Sequence, residues 1–169
     1  MEKVENEGNH LEGIDLVFEM GLKQIDDQLK SVESIDLKIS VLIGFLGLIL
    51  VTTSGFVVTA REILGRNNIL QYFFILGILL IFVALFRAFR SLRTSPFRLP
   101  FNLEEFVQWA NMKEKEIKDN FVGDILDAFR HNQYELEKKT SYFKSSMRFT
   151  LSGLLFFTIP LIVILLKGV

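Results

Sequence analysis

Charged side chains are missing from three stretches of this chain and crowded into the segments between them. Residues 39–60, 69–86 and 149–166 contain no Asp, Glu, Lys or Arg. At 1.5 Å per residue, the 22 residues of the first run reach about 33 Å, enough to cross the roughly 30 Å hydrocarbon core of a bilayer. The second and third have 18 residues each, with Asn67, Asn68 and Gln71 edging the second and Pro160 inside the third. The third is rich in Leu, Ile and Phe on every face, a pattern that favours lipid on all sides over one-sided burial. The pattern predicts three transmembrane helices.

The segments outside these runs carry helical periodicity of another kind. Leu11, Phe18, Ile25, Val32 and Ile39 recur every seven residues, with Leu22 and Leu29 on one side and Ile14 and Ile35 on the other. That is an amphipathic helix with a coiled-coil-like seam, interrupted on one flank by Gly21 and Gln28. Because the seam runs into Ile39, the helix is predicted to continue into the first span. The seam serves either the chain's own bundle or a contact between subunits. An acidic row, Glu12, Glu19, Asp26 and Glu33, lies about 100° round the helix from it.

After the second span, Ser95-Pro96-Phe97-Arg98-Leu99-Pro100 predicts a turn. Asn102-Leu103-Glu104-Glu105 then reads as a variant capping box opening a helix with Leu103, Phe106, Val107, Ala110 and Ile117 on its apolar face. A break is expected near Asp119-Asn120, then a longer helix from about Phe121 into the third span. Its expected stripe is Val122, Leu126, Phe129, Gln133, Leu136, Thr140, Phe143 and Met147. Gln133 and Thr140 need hydrogen-bond partners if buried there. They form a packing layer, or they line a subunit contact or a small pocket.

Composition sharpens the class. The 169 residues are 50% hydrophobic and 23% charged, with no Cys and a net charge of -1. Apolar residues gathered into long uncharged runs exclude a water-soluble globule, a disulfide-stapled domain and a disordered tail. The near-zero charge is a sum of unlike parts: residues 1–38 carry -6 and residues 87–148 carry +3. No signal-peptide pattern precedes the first run, so mature and encoded chains are expected to coincide. Lys and Arg fix the orientation. With the N-terminus and 87–148 inside, 16 of the 19 bases are cytoplasmic. The expected organisation is therefore an all-α integral membrane protein of the inner membrane, N-terminus cytoplasmic and C-terminus external. It has a cytoplasmic amphipathic helix (1–38), spans at 39–60, 69–86 and 149–166, an external loop (61–68) and a cytoplasmic helical region (87–148).

The two histidines, His10 and His131, are far apart in sequence, and with no Cys a metal site would rest on carboxylates whose spacing does not converge. Asp26-Asp27 and Glu104-Glu105 are neighbours that diverge by about 100° on a helix. No nucleophile–base–acid set and no phosphate loop can be assembled; Gly44 and Gly47 lie in the first run without the Lys such a loop needs. The expectation is a non-enzyme without cofactor, metal or DNA partner. The uncharged spans also disfavour an ion-coupled carrier, which needs an ionisable group in the membrane.

Two other groupings stand out. Ser40, Gly44, Gly47, Ser54 and Gly55 fall along one strip of the first span, with Thr52, Thr53 and Thr59 nearby. Small residues let helices approach closely, either inside one subunit or at a contact that lines or seals a pore. Arg87, Arg90, Arg93 and Arg98 cluster after the second span, where Arg meets anionic headgroups or an anionic ligand such as a nucleotide signal.

The order of parts also carries a resemblance. An N-terminal helix ends in Ser34-Ile35-Asp36-Leu37-Lys38 before a glycine-containing span. A second span, a basic turn with prolines and cytoplasmic helices follow, and Lys138-Lys139-Thr140-Ser141-Tyr142-Phe143-Lys144-Ser145-Ser146 leads into a third. The layout resembles the small transmembrane effectors of bacterial anti-phage systems, the Pycsar-type and related SLATT-type effectors that are paired with nucleotide-signal synthases. Asp36 and Lys38 match the family's D-x-K feature before the span, with Ile39 where a small Ala is usual. The resemblance implies an oligomeric effector that compromises the inner membrane once infection is sensed, triggered by a nucleotide second messenger. Membrane lipids, further copies of the chain and a defence-system protein or cyclic nucleotide are the implied partners. The alternative is a non-catalytic scaffold that recruits a cytoplasmic partner through its acidic helix. Opposite charge on 1–38 and 87–148 further predicts that these two parts pack together.

Overall fold

The computed structural model describes residues 2–66, 68–93, 97–100, 112 and 114–166, with side chains over 16–55, 68–93, 97–100, 112, 116–117, 120–163 and 166. The fold is all-α. Helix α1 spans Glu2–Arg66, α2 spans Asn68–Leu92 and α3 spans Glu114–Leu166. Each contains a stretch long and apolar enough to cross a membrane, within Leu16–Gly55, Asn68–Leu92 and Asn120–Val163.

Two compact units divide the chain. In the first, Met1–Ser34 with Ser95–Glu137, the early part of α1 packs on the early part of α3. Ile25, Phe121, Ile125 and Ala128 form its core, ringed by Phe18, Leu29 and Ile117. The Phe18 and Phe121 rings lie tilted at 4.9 Å, a favourable aromatic separation. The two interruptions of the sequence seam turn out to be contacts. A methyl group on Gly21 would lie 2.6 Å from Ile125 Cγ2, so the missing side chain is what admits Ile125. Gln28 is buried and donates from Nε2 to the Phe129 carbonyl at 3.3 Å and to Gln133 Oε1 at 3.5 Å. On the exposed face, Lys30 pairs with Asp26 one turn away. That hydrogen bond, and then the charge of Asp26, hold the Lys30 ammonium above the ordinary lysine pKa.

The second unit, Ile35–Thr94 with Lys138–Val169, holds the apolar runs. Leu42, Leu46, Ile81 and Ala84 form one cluster with Phe143 and Phe149 at its edge; Leu70 and Phe74 form another with Phe157 and Val163. The seven-residue row continues past Ile39 through Leu46 to Thr53, each almost fully buried.

Helices α2 and α3 run antiparallel in a fixed register. Ser91 meets Lys139, Ala84 meets Ser146 and Gly77 meets Gly153, each step seven residues forward on one helix and seven back on the other. Two contacts are hydroxyl-to-carbonyl bonds in opposite directions: Ser91 Oγ donates to the Lys139 carbonyl at 2.8 Å, and Ser146 Oγ to the Ala84 carbonyl at 2.7 Å. At the third, a methyl group on Gly77 would sit 3.1 Å from the Gly153 carbonyl oxygen, so the backbones touch directly. Buried small residues and cross-helix hydroxyls are how membrane helices associate where no water is available to drive them together.

Three sequence expectations change. The break near Asp119-Asn120 does not occur, because α3 is helical from Glu114 through both residues. Neither residue has the ring or missing Cβ that ends a helix, and both tolerate its interior. Helix α3 also passes through the wholly buried Pro160 to Leu166. The 61–68 segment, read as a loop, is helical through Arg66 and again from Asn68, consistent with Glu, Ile, Leu and Arg after Ala60 being compatible with helix. The buried face of α3 lies one residue earlier than the expected stripe, on Phe121, Ile125, Ala128, Asn132, Glu135, Lys139 and Ser146. Four of these are polar, so apolar periodicity alone points to the neighbouring row. The proposed capping box and its helix face up to Ala110 lie outside the described residues; Ile117, expected on that face, belongs to α3 and packs against the core of the first unit.

Candidate functional site

The polar groups with the most specific geometry gather where the uncharged runs end. Lys139 is the centre. Its side chain is 6% exposed and its ammonium lies 2.5 Å from the Asp36 carboxylate on α1. Its carbonyl takes the Ser91 hydroxyl from α2. One residue of α3 thereby ties both other helices. A buried ammonium is tolerable only with a counter-charge in contact, and Asp36 supplies it. Asp36 belongs to the acidic N-terminal segment and Lys139 to the basic segment, so the pair joins the two parts of opposite sign.

One turn further along α3, Tyr142 receives two arginines from α2. The Arg87 guanidinium lies 5.9 Å and the Arg90 guanidinium 5.2 Å from the centre of its ring. Both distances are within cation–π range. Of the four arginines singled out in the sequence, these two are brought together. Arg93 is exposed, its backbone N–H donating to the Phe89 carbonyl at 3.1 Å.

Arg98 belongs to the first unit, where Asn132 grips its backbone at both ends. Asn132 Oδ1 accepts from the Arg98 N–H at 2.8 Å and Nδ2 donates to the Arg98 carbonyl at 2.9 Å. Asn132 is completely buried. Its amide replaces the partners that the non-helical stretch 97–100 cannot find in a helix.

Of the family-like pair, Asp36 is engaged and Lys38 is exposed. The strip on the first span faces outward: Ser40, Gly44, Ser54 and Gly55 are exposed and Gly47 is half-buried. Methyl groups on Gly44, Gly47 or Gly55 would meet nothing within 4 Å among the described residues. Hydroxyls along it bond back to their own helix, Thr52 to the Leu48 and Ile49 carbonyls and Ser54 to that of Val51. Thr53 lies instead on the buried row. The close backbone contact is made by Gly77 and Gly153, which the sequence reading passed over.

Among the seam residues, Phe18 and Ile25 pack in the first unit, and Val32 is half-buried. The Leu11 side chain lies outside the described residues. Gln133 is half-buried, takes Gln28 Nε2 and donates to Glu137 Oε1 at 2.8 Å; Thr140 is half-buried. No group of three or more His, Asp or Glu able to hold a metal ion occurs among the described residues.

A family model, the Pycsar effector protein domain, matches residues 21–166, a region that takes in α1 from Gly21 onward, all of α2 and α3, and the whole Lys139 cluster. The chain belongs to the Pycsar effector family. It is thus a membrane effector of anti-phage defence. No curated protein and no solved structure matches this Pycsar effector chain. Sequence reasoning missed Asn132, Ser91 and the Gly77–Gly153 pair, and it quoted Lys139, Tyr142 and Ser146 only as part of the stretch leading into the third span, without their contacts. Small residues spaced by seven on both helices, Gly77, Ala84 and Ser91 against Ser146 and Gly153, were the available signal.

Proposed function

We propose that this effector works as a homo-oligomer that permeabilises the inner membrane during phage infection, causing abortive infection, with a nucleotide second messenger as its trigger. One observation carries the reading. The face of α1 opposite its buried row presents Ser40, Gly44, Ser54 and Gly55 outward, where a lone chain would need only lipid-facing bulk. Three uncharged spans in one copy offer little to line an aqueous path, so the leak is assigned to several copies together. A strip of glycines and hydroxyls is the kind of surface on which membrane helices approach closely and which water tolerates. The N-terminus and residues 87–148 lie on the cytoplasmic side in this reading, as the distribution of Lys and Arg favours.

Reconstitution into vesicles loaded with a small fluorophore tests the reading. Dye release that rises steeply with the protein-to-lipid ratio is expected, and tight vesicles at every ratio, with and without cyclic nucleotides, contradict it. Orientation is checked separately in this Cys-free chain. Ser31→Cys should be shielded from an impermeant thiol reagent in intact cells, and Asn68→Cys should be labelled.

A second reading rests on a different surface. Glu19, Asp26 and Glu33 are exposed at seven-residue spacing on α1, as a scaffold recruiting a basic partner would present them. Reversing these charges would then abolish partner capture and leave vesicle leakage unchanged.

A further inference from the structure

We propose that Arg87, Arg90 and Tyr142 form a binding site for the phosphate of an anionic glycerophospholipid headgroup. The inference is independent of whether the chain opens the membrane. Arg87 and Arg90 stand three residues apart on α2, as neighbours on one side of the helix. Like charges so close repel, yet both guanidinium groups converge on the one Tyr142 ring, at 5.9 and 5.2 Å. The ring attracts them through its face but accepts few of their N–H donors, of which each guanidinium has five. No ion pair with a carboxylate joins either arginine among the described residues. Two arginine forks therefore stand side by side with unmatched donors, the arrangement that suits the oxygens of a phosphate.

The surroundings decide between a membrane lipid and a soluble phosphate. Arg87 is the first charged residue after the uncharged run 69–86, which sets it at headgroup level. Phe82, Phe86 and Phe89 are all exposed, at 52%, 63% and 51%, and their spacing of four and three residues makes a continuous apolar track ending beside Arg90. A phosphate bound at the arginines thus has a place for its acyl chains along the same helix. A tyrosine is also suited to this depth, with an apolar ring and a hydroxyl that can reach water. The Ser91–Lys139 bond, one turn away, fixes α2 against α3 and holds the ring under the two arginines.

The test uses the full chain in a neutral detergent, titrated with micelles containing phosphatidylglycerol, phosphatidylcholine or no lipid, with thermal stabilisation as the readout. Phosphatidylglycerol should stabilise the wild type and phosphatidylcholine should not. R87Q/R90Q is expected to weaken the phosphatidylglycerol affinity about tenfold, as loss of charge-assisted contacts predicts. R87K/R90K, which keeps the charge but not the fork, should weaken it less, and Y142F should retain it. K144Q/R148Q, removing two exposed bases elsewhere on α3, should leave it unchanged. Equal affinity in R87Q/R90Q overturns the site, as does an equal loss in K144Q/R148Q, which would mean bulk charge alone. Inorganic phosphate or a cyclic nucleotide stabilising as strongly as the lipid overturns the lipid assignment in favour of a soluble anion.

Discussion

The Lys139 ammonium meets the Asp36 carboxylate at 2.5 Å, with 6% of the lysine and 39% of the aspartate side chain exposed. The asymmetry sets the outcome of removing either partner. D36N strands a buried cation and is expected to cost roughly 1–3 kcal/mol, below the figure for a wholly enclosed pair because water reaches the aspartate. K139M leaves only a half-exposed carboxylate and should cost less. The double variant D36N/K139M should recover most of the D36N loss. Thermal unfolding of the four proteins in one detergent closes the cycle, and simple additivity would show the pair to be uncoupled.

The glycines divide into two classes. A methyl group on Gly153 would lie 2.9 Å from Ile81 Cγ1 and 3.1 Å from the Gly77 carbonyl oxygen, and one on Gly77 would press on the Gly153 and Phe157 backbones. G77A and G153A should each destabilise the protein by roughly 1–3 kcal/mol, since backbone cannot move aside as a side chain does. G44A and G47A meet open space and should change stability by less than about 1 kcal/mol. Unfolding midpoints of the four variants check this, and indistinguishable midpoints would contradict the register of α2 on α3.

Asn132 carries a two-point grip on the Arg98 backbone from a fully buried position. N132A removes both bonds and should cost roughly 2–3 kcal/mol. N132D keeps the acceptor but loses the donor and buries a charge, so it should be the worse of the two. Limited proteolysis near residues 97–100 should quicken in both before global unfolding does. Cleavage at the wild-type rate would count against the grip.

These positions mark what the sequence made legible. The row Phe18, Ile25, Ile39 could be read because apolar residues alternate there with charged ones; its continuation to Leu46 was not read and comes from the structure. Inside the spans that contrast vanishes. Gly77 and Gly153 sit among residues apolar on every face, so no hydrophobic periodicity points to them. On α3 the signal misled: Asn132, Glu135 and Lys139 are polar and buried, and the first and last are acceptable inside because of partners distant in sequence. For Asn132 and Lys139 these are the Arg98 backbone and Asp36. Hydrophobic pattern reports what water rejects, and it is blind to polar groups whose partners lie elsewhere in the chain.

The outward strip on α1 separates fold from function. G44L and S54L add bulk at exposed positions, where a methyl group on Gly44 meets nothing within 4 Å among the described residues and the Ser54 hydroxyl bonds to its own helix. Both are expected to insert in the membrane and unfold near the wild-type temperature, yet to lose vesicle leakage and growth arrest together. Wild-type leakage in both would remove the strip from the mechanism.

The most direct measurement follows membrane potential in cells that express the effector with its native neighbouring genes during phage challenge. A potential-sensitive dye should report collapse before lysis in wild-type cells and a sustained potential in cells carrying G44L or S54L. Protection against phage with the membrane potential intact throughout would contradict the account.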